Sequence, residues 1–126
     1  MTASAFLAVG VGAAFGAWLR WFLGVGLNQT LPWLPLGTLA ANLMGGYLVG
    51  VAVAYFAANS HMAPEWRLFC ITGFLGALTT FSTFSAESVE LMMGARFGAA
   101  FLHMSLHLFG SLVATFAGFA TYRALV

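Results

Sequence analysis

Residues 73 to 87 read Gly73-Phe74-Leu75-Gly76-Ala77-Leu78-Thr79-Thr80-Phe81-Ser82-Thr83-Phe84-Ser85-Ala86-Glu87. The run lies inside a long apolar stretch, from about Trp66 to Met93, that suits a membrane span. Two glycines followed by Thr79 and Thr80 bring backbone freedom, β-branching and hydroxyls that compete for backbone hydrogen bonds, all at mid-membrane depth. The pattern predicts a helix break near Gly76 to Thr80. Irregular backbone in the hydrocarbon zone is tolerated where it is buried in protein or lines a cavity, and its freed carbonyls are natural ligands for a hard cation. The competing reading is an unbroken helix whose hydroxyls bond back one turn.

The rest of the chain has the same solvent in mind. Its 126 residues are 62% hydrophobic and 6% charged, with four Arg, three Glu and neither Lys nor Asp. A soluble domain is about a quarter charged, so this chain cannot cover a water-facing surface. The charges are also spaced: 19 residues precede Arg20, 44 separate it from Glu65, 19 lie between Arg67 and Glu87, and 26 between Arg96 and Arg123. A helical span needs about 20 apolar residues. The spacing predicts an all-α integral membrane protein, a single four-span domain over 1–126 with helices at about 5–27, 36–57, 66–93 and 97–124. Pro32 and Pro35 mark the first connector, Ala58 to Pro64 the second, and Gly94 to Arg96 a tight third. Trp33 and Trp66 fall at span ends, where indoles favour the membrane interface. The N-terminal stretch lacks a basic n-region and is expected to stay as the first span.

This composition excludes several functions. Almost nothing projects into water, which leaves no room for a soluble catalytic unit, so the chain is not expected to be an enzyme. A net charge of +1 gives no footprint for nucleic acid. Cys70 stands alone, so there is no intramolecular disulfide and no multi-thiolate metal site.

Four spans put both termini on one side of the lipid bilayer, together with Arg67 and Arg123; Arg20 and Arg96 lie opposite. Orientation normally follows an excess of Lys and Arg on the cytoplasmic side, and two against two leaves it nearly undetermined. Insertion in both directions is one reading; a bias set by the translocon, or by Arg20 lying too deep to count, is the other. Small residues four apart, at Gly12 and Gly16, Gly46 and Gly50, Gly94 and Gly98, and Gly110, Ala114 and Gly118, predict close helix packing. Four short helices enclose little volume, which favours an oligomer as the way to build a pathway.

Several side chains are candidates for chemistry at mid-membrane depth. Phe81 and Phe84 share a face, and their electropositive ring edges could meet an anion without a trapping charge; packing is the plainer reading. His103, His107, Ser111 and Thr115 recur every four residues along one face of the last span. The two histidines could share a metal, but no third and fourth ligand stands at suitable spacing, so a buried hydrogen-bonding role is preferred. Asn42 carries two amide donors into an apolar span, to be satisfied by a neighbouring helix or by a permeant species. Glu87 is either functional or hydrogen-bonded between helices. Arg20 either lines an aqueous vestibule or snorkels to the interface.

The segments GAWLRW at 16–21, GTLAANLMGGYLVG at 37–50 and TGFLGALTTFSTFSAE at 72–87 resemble the signatures of the Fluc (CrcB) family of bacterial fluoride channels, over nearly the whole chain. The resemblance implies an antiparallel dual-topology homodimer in the bacterial inner membrane, with two separate fluoride pores and a central structural sodium ion. By position, Phe81 and Phe84 become pore phenylalanines and Asn42 a pore-lining amide. Ser82 and Thr115 join a polar track, with Glu87 close to it. Arg20 lines an anion-accepting vestibule, and Gly76 and Thr79 offer backbone carbonyls to sodium. Fluoride would exchange its water for these donors and leave the cytoplasm passively. A small multidrug-type exporter generally relies on an acidic residue in its first span, and none precedes Glu65. A non-transporting membrane subunit leaves the Phe, Ser and Thr spacing unexplained.

Overall fold

A computed structural model describes residues 1–126, all of them helical except short connectors. Helix α1 covers Ala3–Leu27 and starts where the Thr2 hydroxyl accepts from the Ala5 N–H. Helix α2 covers Leu36–Ala58, immediately after Pro35, whose fixed φ and missing N–H suit the residue before a helix. The third span is two helices, α3 over 64–78 and α4 over Phe81–Met93, and the last is α5 over Phe97–Leu125. Each of the four spans is long and apolar enough to cross a bilayer. This is a multi-pass, all-helical membrane protein.

The break predicted in the third span is present. Thr79 and Thr80 are both extended, with φ/ψ of −82°/154° and −150°/120°. The competing reading, an unbroken helix with back-bonded hydroxyls, is overturned: Thr79 Oγ1 does donate back to Leu75 O at 2.9 Å, but the helix stops at that residue. Thr80 then caps α4, its hydroxyl accepting from the Thr83 N–H at 3.1 Å. Upstream, Leu68–Leu75 widens into a π-helix, a device that re-aims a helix locally. The α4–α5 turn is closed by Ala95 at φ 57°, a left-handed position.

Helices α1 and α3 pack together, as do α2 and α5, and α1 against α2 joins the pairs. Close approach comes from the small residues. A methyl on Gly12 or Gly16 would run into the Phe69 or Phe74 carbonyl of α3, and one on Gly50 into the Thr115 carbonyl of α5. Gly118 meets the Tyr47 carbonyl in the same way. Tyr47 Oη fastens α2 to α5 by donating to Thr121 Oγ1 at 3.0 Å. The pair Gly94 and Gly98 departs from the expectation of close packing. Gly94 ends α4, and Gly98 faces open space with nothing within 4 Å. The spacing was there, but these residues sit at a helix junction and face no second backbone.

Two substitutions separate packing from spacing. Gly50→Ala can be relieved only by moving α2 from α5, and should lower the melting temperature in detergent by the equivalent of about 1–3 kcal/mol. Gly98→Ala should be neutral or slightly stabilising, since alanine is the better helix former by about 1 kcal/mol. Equal melting of the two variants would show that the α2–α5 approach contributes nothing.

Candidate functional site

The break leaves backbone groups without helical partners in a region where water cannot supply them. Asn42 on α2 supplies two partners. Its Oδ1 accepts from the Thr80 N–H at 2.8 Å and its Nδ2 donates to Thr80 O at 3.1 Å, so one amide side chain pairs with both backbone groups of one residue. The same Nδ2 lies 2.9 Å from His107 Nδ1. Since Oδ1 is committed to Thr80, the amide presents an N–H to the ring, and His107 therefore accepts at Nδ1 and carries its proton on Nε2. Room for the extended backbone comes from Gly45, where a methyl would overlap the Thr79 side chain.

On the other side of the break, Arg20 Nε donates to Ala77 O at 2.9 Å. Ala77 stands in the last turn of α3, where carbonyls lose their helical donors and a cation is favoured by the helix dipole. Arg20 is thus half-buried against the break. Gly76 O is deprived of its usual donor because the Thr80 N–H turns to Asn42, and Thr79 O accepts no hydrogen bond.

A cavity of about 690 Å³ opens beside this segment, between α2, the broken span and α5. Asn42, Phe81, Phe84 and Thr115 line it, as do Gly76 and Thr79, and no charged side chain does. The Phe81 and Phe84 rings lie 5.5 Å apart, tilted at 52°. Phe84 also stacks on His103 and leans against His107, at 5.5 and 4.8 Å between centroids. Phe81 is 80% exposed on the single chain. Thr115 Oγ1 donates back to Ser111 O at 2.9 Å. Ser82 lies outside the cavity lining, on the surface, 3.3 Å from Thr80 Oγ1.

Glu87 sits one step deeper along α4. Its Oε1 accepts from the Thr38 hydroxyl of α2, and its Oε2 lies 3.4 Å from His103 Nε2 of α5. The carboxylate therefore connects three helices.

A family model described as "CrcB-like protein, Camphor Resistance (CrcB)" matches residues 7–119. The chain belongs to the CrcB family. Curated relatives named fluoride-specific ion channel FluC match it nearly end to end. That of Cupriavidus necator is 60% identical over 120 residues, covering 95% of each chain. That of Cupriavidus metallidurans is 58% identical over 120 residues, again 95% of each. That of Nitrosospira multiformis is 58% identical over 121 residues, 96% of this chain and 94% of the relative.

In this CrcB chain, Asn42, Phe81, Phe84 and Thr115 come together, whereas Ser82, Glu87 and Arg20 stand outside the cavity lining. Sequence reasoning missed Thr38, which holds Glu87, and the pairing of Thr80 with Asn42. The signal for Thr80 was available: a threonine after a glycine-rich stretch and before a fresh helical run is a natural N-cap. It also missed the third partner for the two histidines, which Glu87 supplies from a different helix.

Asn42→Leu orphans the Thr80 backbone and should destabilise the chain by about 1–3 kcal/mol. Thr80→Ala, which keeps that backbone and loses only the cap hydroxyl, should be milder, at about 1 kcal/mol. Thermal unfolding in detergent ranks them, and hydrogen exchange should rise at residues 79–83 in the Asn42 variant. A wild-type melting temperature for Asn42→Leu would show that the amide does not hold the break.

Proposed function

We propose that this chain is a fluoride-selective channel, not an enzyme, that lets fluoride leave the cytoplasm passively and so protects against its toxicity. The observation that carries this reading is the cavity at the break, lined by neutral donors and the rings of Phe81 and Phe84 with no fixed charge. Relatives sharing more than half of its residues over nearly the whole chain are named for the same ion. Fluoride is small and strongly hydrated, so a pathway must replace its water shell with donors in a space too narrow for larger halides. An anion can take the place of His107 Nδ1 as acceptor of the second Asn42 N–H. Thr115 can turn its hydroxyl from Ser111 O, and Ser82 lies near enough to continue the line. Phe81 and Phe84 offer electropositive edges. Glu87 stands beside this track, and Arg20, with donors beyond Nε, attracts anions to the approach.

The working unit is an antiparallel, dual-topology homodimer in the bacterial inner membrane, with one pore per chain. The two-against-two arginine balance supports it, and so does a broad apolar surface around Phe81 that a second copy can cover. The carbonyls of Gly76 and Thr79 fit a sodium ion in donor type, being hard oxygens without hydrogen-bond donors. One chain supplies two such oxygens and an antiparallel pair supplies four around a shared axis. Bound there, a sodium ion would neutralise these carbonyls and help hold the two chains together.

Liposomes carrying the purified protein should release fluoride and retain chloride. Phe81→Ile and Phe84→Ile keep bulk but remove the quadrupole, and each should lower fluoride efflux sharply. Asn42→Asp exchanges two N–H donors for a carboxyl group and should be more damaging than Ser82→Ala. Wild-type rates in both Phe→Ile variants would make the rings mere packing, and efflux of neither ion would return the chain to a structural role.

The dimer has its own test. C-terminal reporters active on opposite faces of the membrane should both give signal, and two or three lysines added after Val126 should force one orientation and lower activity unless an oppositely oriented partner is co-expressed. A single fixed orientation in the unmodified chain excludes the antiparallel dimer.

A further inference from the structure

The fluoride reading gives His103 no task and His107 none beyond accepting the Asn42 N–H, and the two imidazoles stand in an unusual place. Ligand atoms of Glu87, His103 and His107 lie within 4.8 Å of one another. Four polar atoms there, Glu87 Oε2, both ring nitrogens of His103 and His107 Nε2, are buried with no hydrogen bond. His103 is 0% exposed and His107 4%. Buried polar atoms are nearly always paired in folded proteins, and three of these, Glu87 Oε2 and one nitrogen from each imidazole, are near enough to share a ligand.

We propose that Glu87, His103 and His107 form a binding site for a borderline divalent transition metal of the zinc or copper class, distinct from the carbonyl pair at the break. Two imidazoles and one carboxylate with an open fourth position is a ligand set such metals accept, whereas hard cations prefer all-oxygen sites. The His103 Nε2 to Glu87 Oε2 separation is 3.4 Å, and tetrahedral ligands at about 2.1 Å from a metal stand about 3.4 Å apart. A pair at the 4.8 Å limit must close by about 1.4 Å, within reach of side-chain rotation at the three residues, and the Glu87 carboxylate is held at Oε1 by a single hydroxyl. Thr38 then orients the carboxylate from outside the ligand sphere. The cavity reaches His107 and gives the ion an entry path.

Loading the site has a consequence for the break. With the metal on Nε2, the His107 proton moves to Nδ1, where it faces the Asn42 N–H. The two donors repel, and Asn42 can relieve the clash only by leaving Thr80. Metal binding and the intact break therefore oppose each other, and by linkage the opposition is reciprocal. The metal is an inhibitor of the pathway.

Purified protein in detergent, titrated with zinc chloride against a chromophoric chelator, should bind one ion per chain and melt at a higher temperature. His103→Gln and His103→Ala should each weaken binding by about 100-fold or more, and X-ray absorption at the zinc edge should show two imidazole nitrogens. Asn42→Leu should bind zinc more tightly than wild type. Binding that survives both His103 variants and disappears in His61→Ala, at the exposed loop histidine, would be adventitious and overturns the site, as does absence of binding. The inhibitory arm rests on the fluoride reading. Zinc should stop fluoride efflux from liposomes, a chelator should restore it, and efflux through His103→Gln, whatever its basal rate, should ignore zinc. Zinc binding without any fluoride efflux leaves the site standing and removes the channel; efflux without zinc binding does the reverse.

Discussion

One side-chain amide holds this chain's central irregularity in place. A helix interrupted inside a bilayer exposes an N–H and a C=O that hydrocarbon cannot satisfy. Asn42 reaches across from α2 and pairs with both groups of Thr80, the way a neighbouring strand would. Its third polar contact goes to His107, so the same residue couples the broken span to α5. Every other feature of the region depends on that clasp: the freed carbonyls of Gly76 and Thr79, the cavity beside them, and the tautomer of the imidazole.

Small residues make the clasp reachable. Asn42 is a short side chain, and it spans the gap because α2 sits tightly against its neighbours. Gly45 leaves room for Thr79, and Gly50 and Gly118 let α2 and α5 approach backbone to backbone. Between helices in lipid there is no hydrophobic driving force, so van der Waals contact at such notches and hydrogen bonds like this one carry the association. Packing and polar pairing are here the same requirement, met at Gly45 and Asn42, three residues apart on one helix face.

The spans and the break were legible in the sequence for physical reasons that act locally. Charge spacing and span length fixed four helices, and Gly73, Gly76, Thr79 and Thr80 together disfavour a helix at the point where it stops. Of the site, Phe81, Phe84 and Asn42 could be singled out because an aromatic pair and an amide are conspicuous in an apolar span. What could not be read were contacts between spans. Nothing along the chain says that Thr38 meets Glu87, or that a carboxylate on α4 arrives beside two imidazoles on α5. The glycines show the same limit from the other side, since Gly94 and Gly98 have the spacing of a packing notch and face no partner.

The break also sorts charge. Where α3 ends, its last carbonyls form the negative end of a helix dipole, and the groups gathered there suit it: the Arg20 guanidinium on Ala77 O, and the bare oxygens of Gly76 and Thr79 that would take a cation. Two residues later α4 begins, and its first turn is the positive end, which favours an anion. Phe81, the first residue of that turn, is also a lining residue of the cavity. A single interruption of two residues therefore places a cation-favouring locus, with the Arg20 guanidinium at one of its carbonyls, beside an anion-favouring one in the bilayer. Discontinuous helices can serve opposite ions for this reason, because the charge resides in the backbone and needs no ionised side chain to be carried into lipid. In this chain the arrangement is held by one neutral amide, so the field at the break depends on hydrogen-bond geometry and can be lost without any change in formal charge.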